Sequence, residues 1–200
     1  MPRFGLVALL AVVTACDRTP APPVAPGDAG TAGATAPVAA VPTDIPEQTL
    51  RPDIFFLGTP QPVVDAMLEL ADVKPGDVLY DLGSGDGRIP IAAAKKFDVK
   101  AVGIDIDPQR IAEANANAEA AGVTDEVTFR NEDLFEADFS DATVITLYLL
   151  PRLNEKLMPT LKQLKPGTRI VSHSFLMGDW MPEKSQDVNG RMIYFWTVPG

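Results

Sequence analysis

The sequence predicts an α/β domain, a doubly wound and mostly parallel sheet with helices on both faces. Three observations predict it. From about residue 59 onward, short apolar runs alternate with segments of helical period. One run, Thr143 to Leu149 (TVITLYL), is apolar on both faces, as a central parallel strand must be. Gly- and Pro-bearing breaks such as Lys74-Pro75-Gly76 and Pro166-Gly167 punctuate the changes of period.

The elements follow in order. Thr59-Pro60-Gln61-Pro62 reads as an N-cap with prolines in the first turn, where a missing N–H is harmless. Val63, Val64, Met67, Leu68 and Ala71 then share one helical face. Asp77 to Leu82 is the first strand, and Pro90 sits early in a helix over about 88–96. Lys100 to Ile106 is the second strand. Asp107-Pro108 caps and opens a helix that Gly122 closes. Val127 to Asn131 is the third strand and Thr143 to Leu149 the fourth. Pro151 opens a helix with Leu153, Leu157, Leu161 and Leu164 on one side. Thr168 to Phe175 is the fifth strand, and Arg191 to Val198 the last.

Composition narrows the function. Of 200 residues, 27 are acidic and 17 are Lys or Arg, a net charge of −10. Nucleic acid is a poor partner for such a chain, because its phosphates must be neutralised by cations. With one Cys (Cys16) and one His (His173), a disulfide framework, a Cys/His zinc site and a Cys–His catalytic pair within the folded domain are excluded. No apolar run reaches the ~18 residues of a membrane span.

Residues 1–16 read as a signal peptide: Arg3, then an apolar run to Val13, ending Val13-Thr14-Ala15-Cys16. This ending resembles the lipobox of bacterial lipoproteins, which implies acylation of Cys16, a membrane anchor and a periplasmic location. An ordinary cleaved signal, or a cytoplasmic extension with an incidental Cys, is the alternative. Residues 17–50 form a Pro/Ala-rich tether. Within 17–46, 18 of 30 residues are Pro, Ala or Gly, too little apolar surface to offset backbone ordering. The folded domain is then 51–200.

In a doubly wound sheet, ligands bind beyond the carboxyl ends of the strands. The first strand ends Asp81-Leu82-Gly83-Ser84-Gly85-Asp86-Gly87-Arg88. Gly83, Gly85 and Gly87 clear side chains from the strand-to-helix turn, with Ser84 between them. The dinucleotide pattern G-x-G-x-x-G is missed, since the third glycine falls one position early. A dehydrogenase is therefore disfavoured, and the absence of Gly-Lys-Ser/Thr disfavours a P-loop hydrolase. Asp81 suits a cationic ligand rather than a phosphate. The second strand ends at Asp105-Ile106, with Asp105 placed to accept both hydroxyls of a ribose. Asp133, after the third strand, can accept from an exocyclic amine. The ligand implied has a cationic centre, a ribose diol and an amino-bearing base: S-adenosylmethionine.

DLGSGDGR, VGIDIDPQRI and NEDLFEADF, in that order, resemble the class I methyltransferase motifs. The resemblance implies the Rossmann-like class I methyltransferase fold and S-adenosyl-L-methionine as cofactor. It places Asp81, Gly83, Ser84, Gly85, Gly87, Asp105, Ile106 and Asp133 at the cofactor. Thr59-Pro60, Tyr148-Leu149-Leu150-Pro151 and KPGTRIVSHSF are further similar to a protein-lysine methyltransferase-like family that includes enzymes acting on the c-ring protein of ATP synthase. That implies N-methylation of lysine. Phe55-Phe56-Leu57-Gly58 departs from the family's Tyr-Val-Pro-like hinge. The chain carries one strand after Phe175 where the fold has an antiparallel pair, so a minimal or truncated C-terminal edge is expected.

Methyl transfer is an in-line displacement, so the protein mainly aligns the nucleophile and excludes water. Tyr148 and Pro151, at the end of the fourth strand, are candidates for lining the transfer channel. His173 is a candidate general base. The acceptor is a protein or a small molecule. A small-molecule methyltransferase, and an exported domain that binds an adenosyl ligand or a partner without turnover, remain the competing functions.

Overall fold

The computed structural model describes residues 57–200. The signal-peptide and tether readings, and the first residues of the domain, lie outside the described residues.

The expected α/β architecture is present. The chain runs α1 (Gln61–Leu70), β1 (Val78–Leu82), α2 (Arg88–Phe97), β2 (Lys100–Asp105), α3 (Pro108–Ala121), β3 (Val127–Asn131), β4 (Val144–Leu147), α4 (Pro151–Leu161), β5 (Arg169–His173), β6 (Lys184–Val188) and β7 (Arg191–Thr197). The seven strands form one sheet in the order β3-β2-β1-β4-β5-β7-β6. β1 to β5 run parallel to one another; β7 runs antiparallel to β5 and to β6. The order reverses between β1 and β4, which creates the crevice where such sheets bind ligands.

Strand periodicity sorts side chains to two cores. Leu79, Val144 and Val171 pack beneath α1, α2 and α3 with Val64, Met67 and Ala93. Tyr80, Leu82, Ile145 and Ile170 face the opposite core, with Leu153, Leu157 and Leu161 of α4 and the buried Trp196. At the strand starts, Arg169 ties the molecule together. Its guanidinium donates to the carbonyls of Ala71 (2.9 Å) and Asp72 (2.6 Å) and to the Asp77 carboxylate. Asp77 also accepts the Thr143 hydroxyl at 2.8 Å and the Lys74 amide at 2.9 Å.

Local signals set the helix ends. The Asp107 carboxylate accepts the Gln109 amide at 2.8 Å ahead of Pro108, and Gly122 closes α3 at φ 69°. Two expectations need correction. Thr59 does not cap α1: the N-cap is Pro60, with no side-chain bond, and the Thr59 hydroxyl instead meets His173. The C-terminal edge is not minimal, since β6 and β7 supply the antiparallel pair. β6 (KSQDV) is almost wholly exposed, so it carries no apolar pattern. The turn Asn189-Gly190, with φ of 55° and 80°, joins the two strands as an Asn-Gly hairpin does.

Candidate active site

A cleft of about 830 Å³ opens at the carboxyl ends of the parallel strands. Its size is that of a site for a nucleoside-sized ligand. Asp81, Gly83, Ser84, Asp105, Ile106, Asp133 and Tyr148 all reach its wall, so the structure brings together most of the predicted residues. Gly85, Gly87, Pro151 and His173 are not on the wall.

The glycine loop is shaped by its own neighbours. The amides of Gly83 and Ser84 both donate to the Ile104 carbonyl, at 2.8 and 3.0 Å, which turns the chain sharply off β1. Gly83 has φ 84°, and a Cβ there would sit 2.8 Å from Leu149 Cδ2. Gly87 has φ 78°, and its Cβ would overlap the Phe129 ring. Both positions therefore demand glycine for conformation and for closeness of protein to protein. Gly87 lines no wall; it seats α2 against β3. Gly85 is also set by the backbone: its amide donates to Asp105 Oδ2 at 2.8 Å.

The carboxylates differ in environment. Asp105 accepts from the amides of Gly85 and Asp107 (2.9 Å), one to each oxygen, which fixes its plane at the end of β2. Asp133 Oδ1 accepts the Phe135 amide at 2.9 Å. Asp81 is 3% exposed, and Thr146 Oγ1 donates to its Oδ1 at 2.7 Å. Burial pushes the Asp81 pKa up to about 7; the nearby Asp105 and Asp86 carboxylates add to the rise, and the Thr146 hydroxyl opposes it. Ser84 Oγ is buried on the cleft wall without a hydrogen-bond partner. The hydroxyl packs against β2, where a Cβ on Gly103 would sit 2.7 Å from it.

The nucleophile side is aromatic and aliphatic. Tyr148 and Phe175 line the cleft with Leu149, Leu150 and Leu153. Pro151, a predicted wall residue, is exposed at the first position of α4, because the chain enters that helix through the extended Leu150. His173 is wholly buried and lies behind Tyr148, with ring centroids 3.9 Å apart. Its Nδ1 is 3.1 Å from the Thr59 hydroxyl, and its Nε2 has no partner. Burial, reinforced by the nearby Arg191 charge, pulls its pKa down to about 4. A neutral ring cut off from the cleft does not reach a substrate proton, so the geometry does not place His173 as a base.

Several residues in or beneath the cleft wall escaped the sequence reading. Asp86 and Arg88 form a bidentate pair, and Arg88 Nη1 also donates to the Thr59 carbonyl at 2.9 Å. Lys156 stands with its ammonium 3.6 Å from the centroid of the Phe135 ring at the cleft. Thr146 was hidden inside an apolar run, though a Thr opposite Asp81 in an adjacent strand is a pairing signal once register is known.

The set fits S-adenosylmethionine. Acidic groups stand at the ends of β1 and β2 and just after β3, and Arg88, the cation that follows the glycine loop, is paired with Asp86. Among the described residues, no cluster of metal-ligating side chains occurs.

A family model described as the ANTKMT methyltransferase domain matches residues 81–184. The chain belongs to the ANTKMT methyltransferase domain family. A protein-lysine N-methyltransferase of Saccharolobus islandicus is 48% identical over 153 residues, 74% of this chain and 95% of that protein. The mouse adenine nucleotide translocase lysine N-methyltransferase is 31% identical over 152 residues, 76% of this chain and 66% of that protein. A crystal structure described as an RNA methyltransferase from Salinibacter ruber, in complex with S-adenosyl-L-homocysteine, is 59% identical with a TM-score of 0.70; the match covers 72% of this chain and 94% of that one. As an ANTKMT-family domain, the chain is a methyltransferase with the class I Rossmann-like fold expected from its motifs.

Proposed function

We propose that the protein transfers a methyl group from S-adenosyl-L-methionine to the side-chain amine of lysine in a protein acceptor. The observation that carries the reading is the acidic cleft, in a chain that aligns with 95% of a relative named a protein-lysine N-methyltransferase. The cofactor supplies a methyl group on a sulfonium, already activated for displacement. Asp105 holds the ribose hydroxyls, Asp133 accepts from the adenine amine, and Asp81 faces the cationic amino acid portion. Gly83, Gly85 and Ser84 shape the turn against which the nucleoside lies, Ile106 supplies an apolar contact, and Gly87 acts by seating α2.

A lysine amine is protonated in water, with a pKa of about 10.4. The amine must give up a proton to solvent before it can attack, and the apolar wall of Leu149, Leu150 and Leu153 keeps water from the reacting nitrogen. The nitrogen lone pair then forms the new N–C bond as the C–S bond breaks, its electron pair staying on sulfur. The amine gains the positive charge and loses a proton to solvent.

The test is transfer of labelled methyl from the cofactor to an extract of the native host by the purified full chain. The expected result is protease-sensitive label recovered as methyl-lysine after acid hydrolysis. Label removed by ribonuclease would overturn the protein acceptor in favour of RNA, the acceptor named for the Salinibacter relative.

We further propose export and acylation at Cys16, supported by the leader pattern of residues 1–16. The acceptor would then be met at the outer face of the membrane. Intact mass of the protein from its host is expected to show loss of residues 1–15 and an added lipid; an N-terminus at Met1 would refute export.

A further inference from the structure

The corner after β5 is the feature for which methyl-donor binding gives no reason. Ser174, not a glycine, has φ 65°. A left-handed residue with a Cβ is costly and persists only where the surroundings over-determine it. Here they do. The Ser174 amide donates to the Met192 carbonyl at 2.8 Å, and the Phe175 amide to the His173 carbonyl at 2.9 Å. Ser172 Oγ donates to the Phe175 carbonyl at 2.7 Å. Asn154, fully buried in α4, donates to the Leu176 carbonyl at 3.2 Å. The product of this corner is one placement: the Phe175 ring on the cleft wall, within 17° of parallel to Tyr148 and 6.2 Å from it. Behind Tyr148, the His173 ring packs at 3.9 Å between centroids, tilted by 34°, and burial keeps it neutral, so no cation competes for that aromatic surface.

Sheet order says which part of the reaction this wall serves. Asp105 and Asp133 stand on the β2–β3 side of β1, whereas Tyr148 and Phe175 stand on the β4–β5 side. The two carboxylates that would hold the nucleoside and the aromatic pair therefore stand on opposite flanks of the switch point.

We propose that Phe175 contacts the methyl acceptor and, with Tyr148, forms an aromatic wall that selects an aliphatic amine by stabilising the positive charge on its nitrogen. This rests on the amine-acceptor reading above. During transfer the charge moves from sulfur to nitrogen. A ring face close to that nitrogen is attracted to it more strongly after the charge arrives than before. The stabilisation thus favours the transition state over the neutral nucleophile. A hydroxyl acceptor, whose oxygen loses its proton and ends neutral, gains nothing comparable, so the same wall discriminates between acceptor classes.

The experiment uses the full chain saturated with S-adenosylhomocysteine and two probes of one shape, choline and its uncharged carbon isostere 3,3-dimethylbutan-1-ol, titrated by NMR. Wild type is expected to bind choline about fivefold or more tightly than the alcohol, in the range of a partly desolvated cation–π contact. Phe175→Leu should cut that ratio at least about twofold, Phe175→Tyr should keep it, and both should retain affinity for S-adenosylhomocysteine. If Phe175→Leu loses the nucleoside, Tyr148→Leu reads the other ring of the wall. A wild-type ratio near unity, or an unchanged ratio in the leucine variants, overturns the proposal. Poly-L-lysine methylation separates the two ideas. Cation preference without transfer to lysine sinks the acceptor assignment and keeps the wall. Transfer at equal rates in wild type and Phe175→Leu, with no cation preference, does the reverse.

Discussion

Thr146 Oγ1 donates a 2.7 Å hydrogen bond to Asp81 Oδ1, from the strand beside it and at the same level of the sheet. The bond holds an acid that is otherwise buried, and it leaves the carboxyl facing the cleft. With its pKa near 7, Asp81 is half neutral at neutral pH in the free protein. A cationic ligand favours the ionised form, so binding expels a proton at lower pH. Affinity for S-adenosylmethionine is expected to fall about tenfold per pH unit below 7, as measured by calorimetric titration. Asp81→Asn should flatten the profile. A wild-type affinity independent of pH between 5 and 8 would contradict the assignment.

Asp81 and His173 oppose each other in pH-dependent stability. Asp81 rises from 3.8 to about 7 on folding, so its contribution is present below pH 3.8 and is lost as pH rises through about 7. His173 falls from 6.5 to about 4, so its contribution is present above pH 6.5 and is lost as pH falls towards 4. Between pH 4 and 6.5 the two slopes, each up to ~1.4 kcal/mol per pH unit, cancel. Denaturant unfolding of Asp81→Asn should show stability falling as pH is lowered through that window, relative to wild type. His173→Phe should show the opposite relative trend. Parallel curves for all three proteins would refute the pairing.

Asp105 is held by two backbone amides, so its asparagine variant keeps one anchor and loses the charge. We expect Asp105→Asn to weaken S-adenosylhomocysteine binding by about 10- to 100-fold, the scale of a charged hydrogen bond. Ligand at 100 Kd should stabilise wild type by ~2.7 kcal/mol, and NAD should not. Unchanged affinity in the variant, or a shift with NAD alone, would remove Asp105 from the ribose.

Gly87→Ala forces a Cβ into the Phe129 ring at φ 78°. Overpacking and left-handed strain together should cost about 2–4 kcal/mol by chemical denaturation. Phe129→Leu, introduced with it, is expected to recover part of that loss. A cost below about 0.5 kcal/mol for the single variant would contradict the close packing of α2 against β3.

Most of the fold was legible because its signals are local. Asp107-Pro108 and Gly122 mark α3, and the doubly apolar β4 announces a parallel centre. The β6 strand was not legible from hydropathy, since an edge strand of Lys, Ser, Gln and Asp meets solvent; the Asn189-Gly190 pair was its one signal. In the cleft, the carboxylates at strand ends could be read from spacing. Phe175 could not, because its direction depends on a left-handed Ser174 that no propensity forecasts. His173 and Pro151 were misplaced for a related reason: a strand end or helix start fixes proximity to the cleft but not which side of the backbone faces it.

The tie made by Arg169 lies at the far end of the strands from the cleft. Structural integrity and chemical choice are thereby assigned to opposite poles. Side-chain changes on the cleft face of the segments after β4 and β5 therefore leave the Arg169 tie untouched, whereas Leu149 and Met177 in the same segments belong to the core.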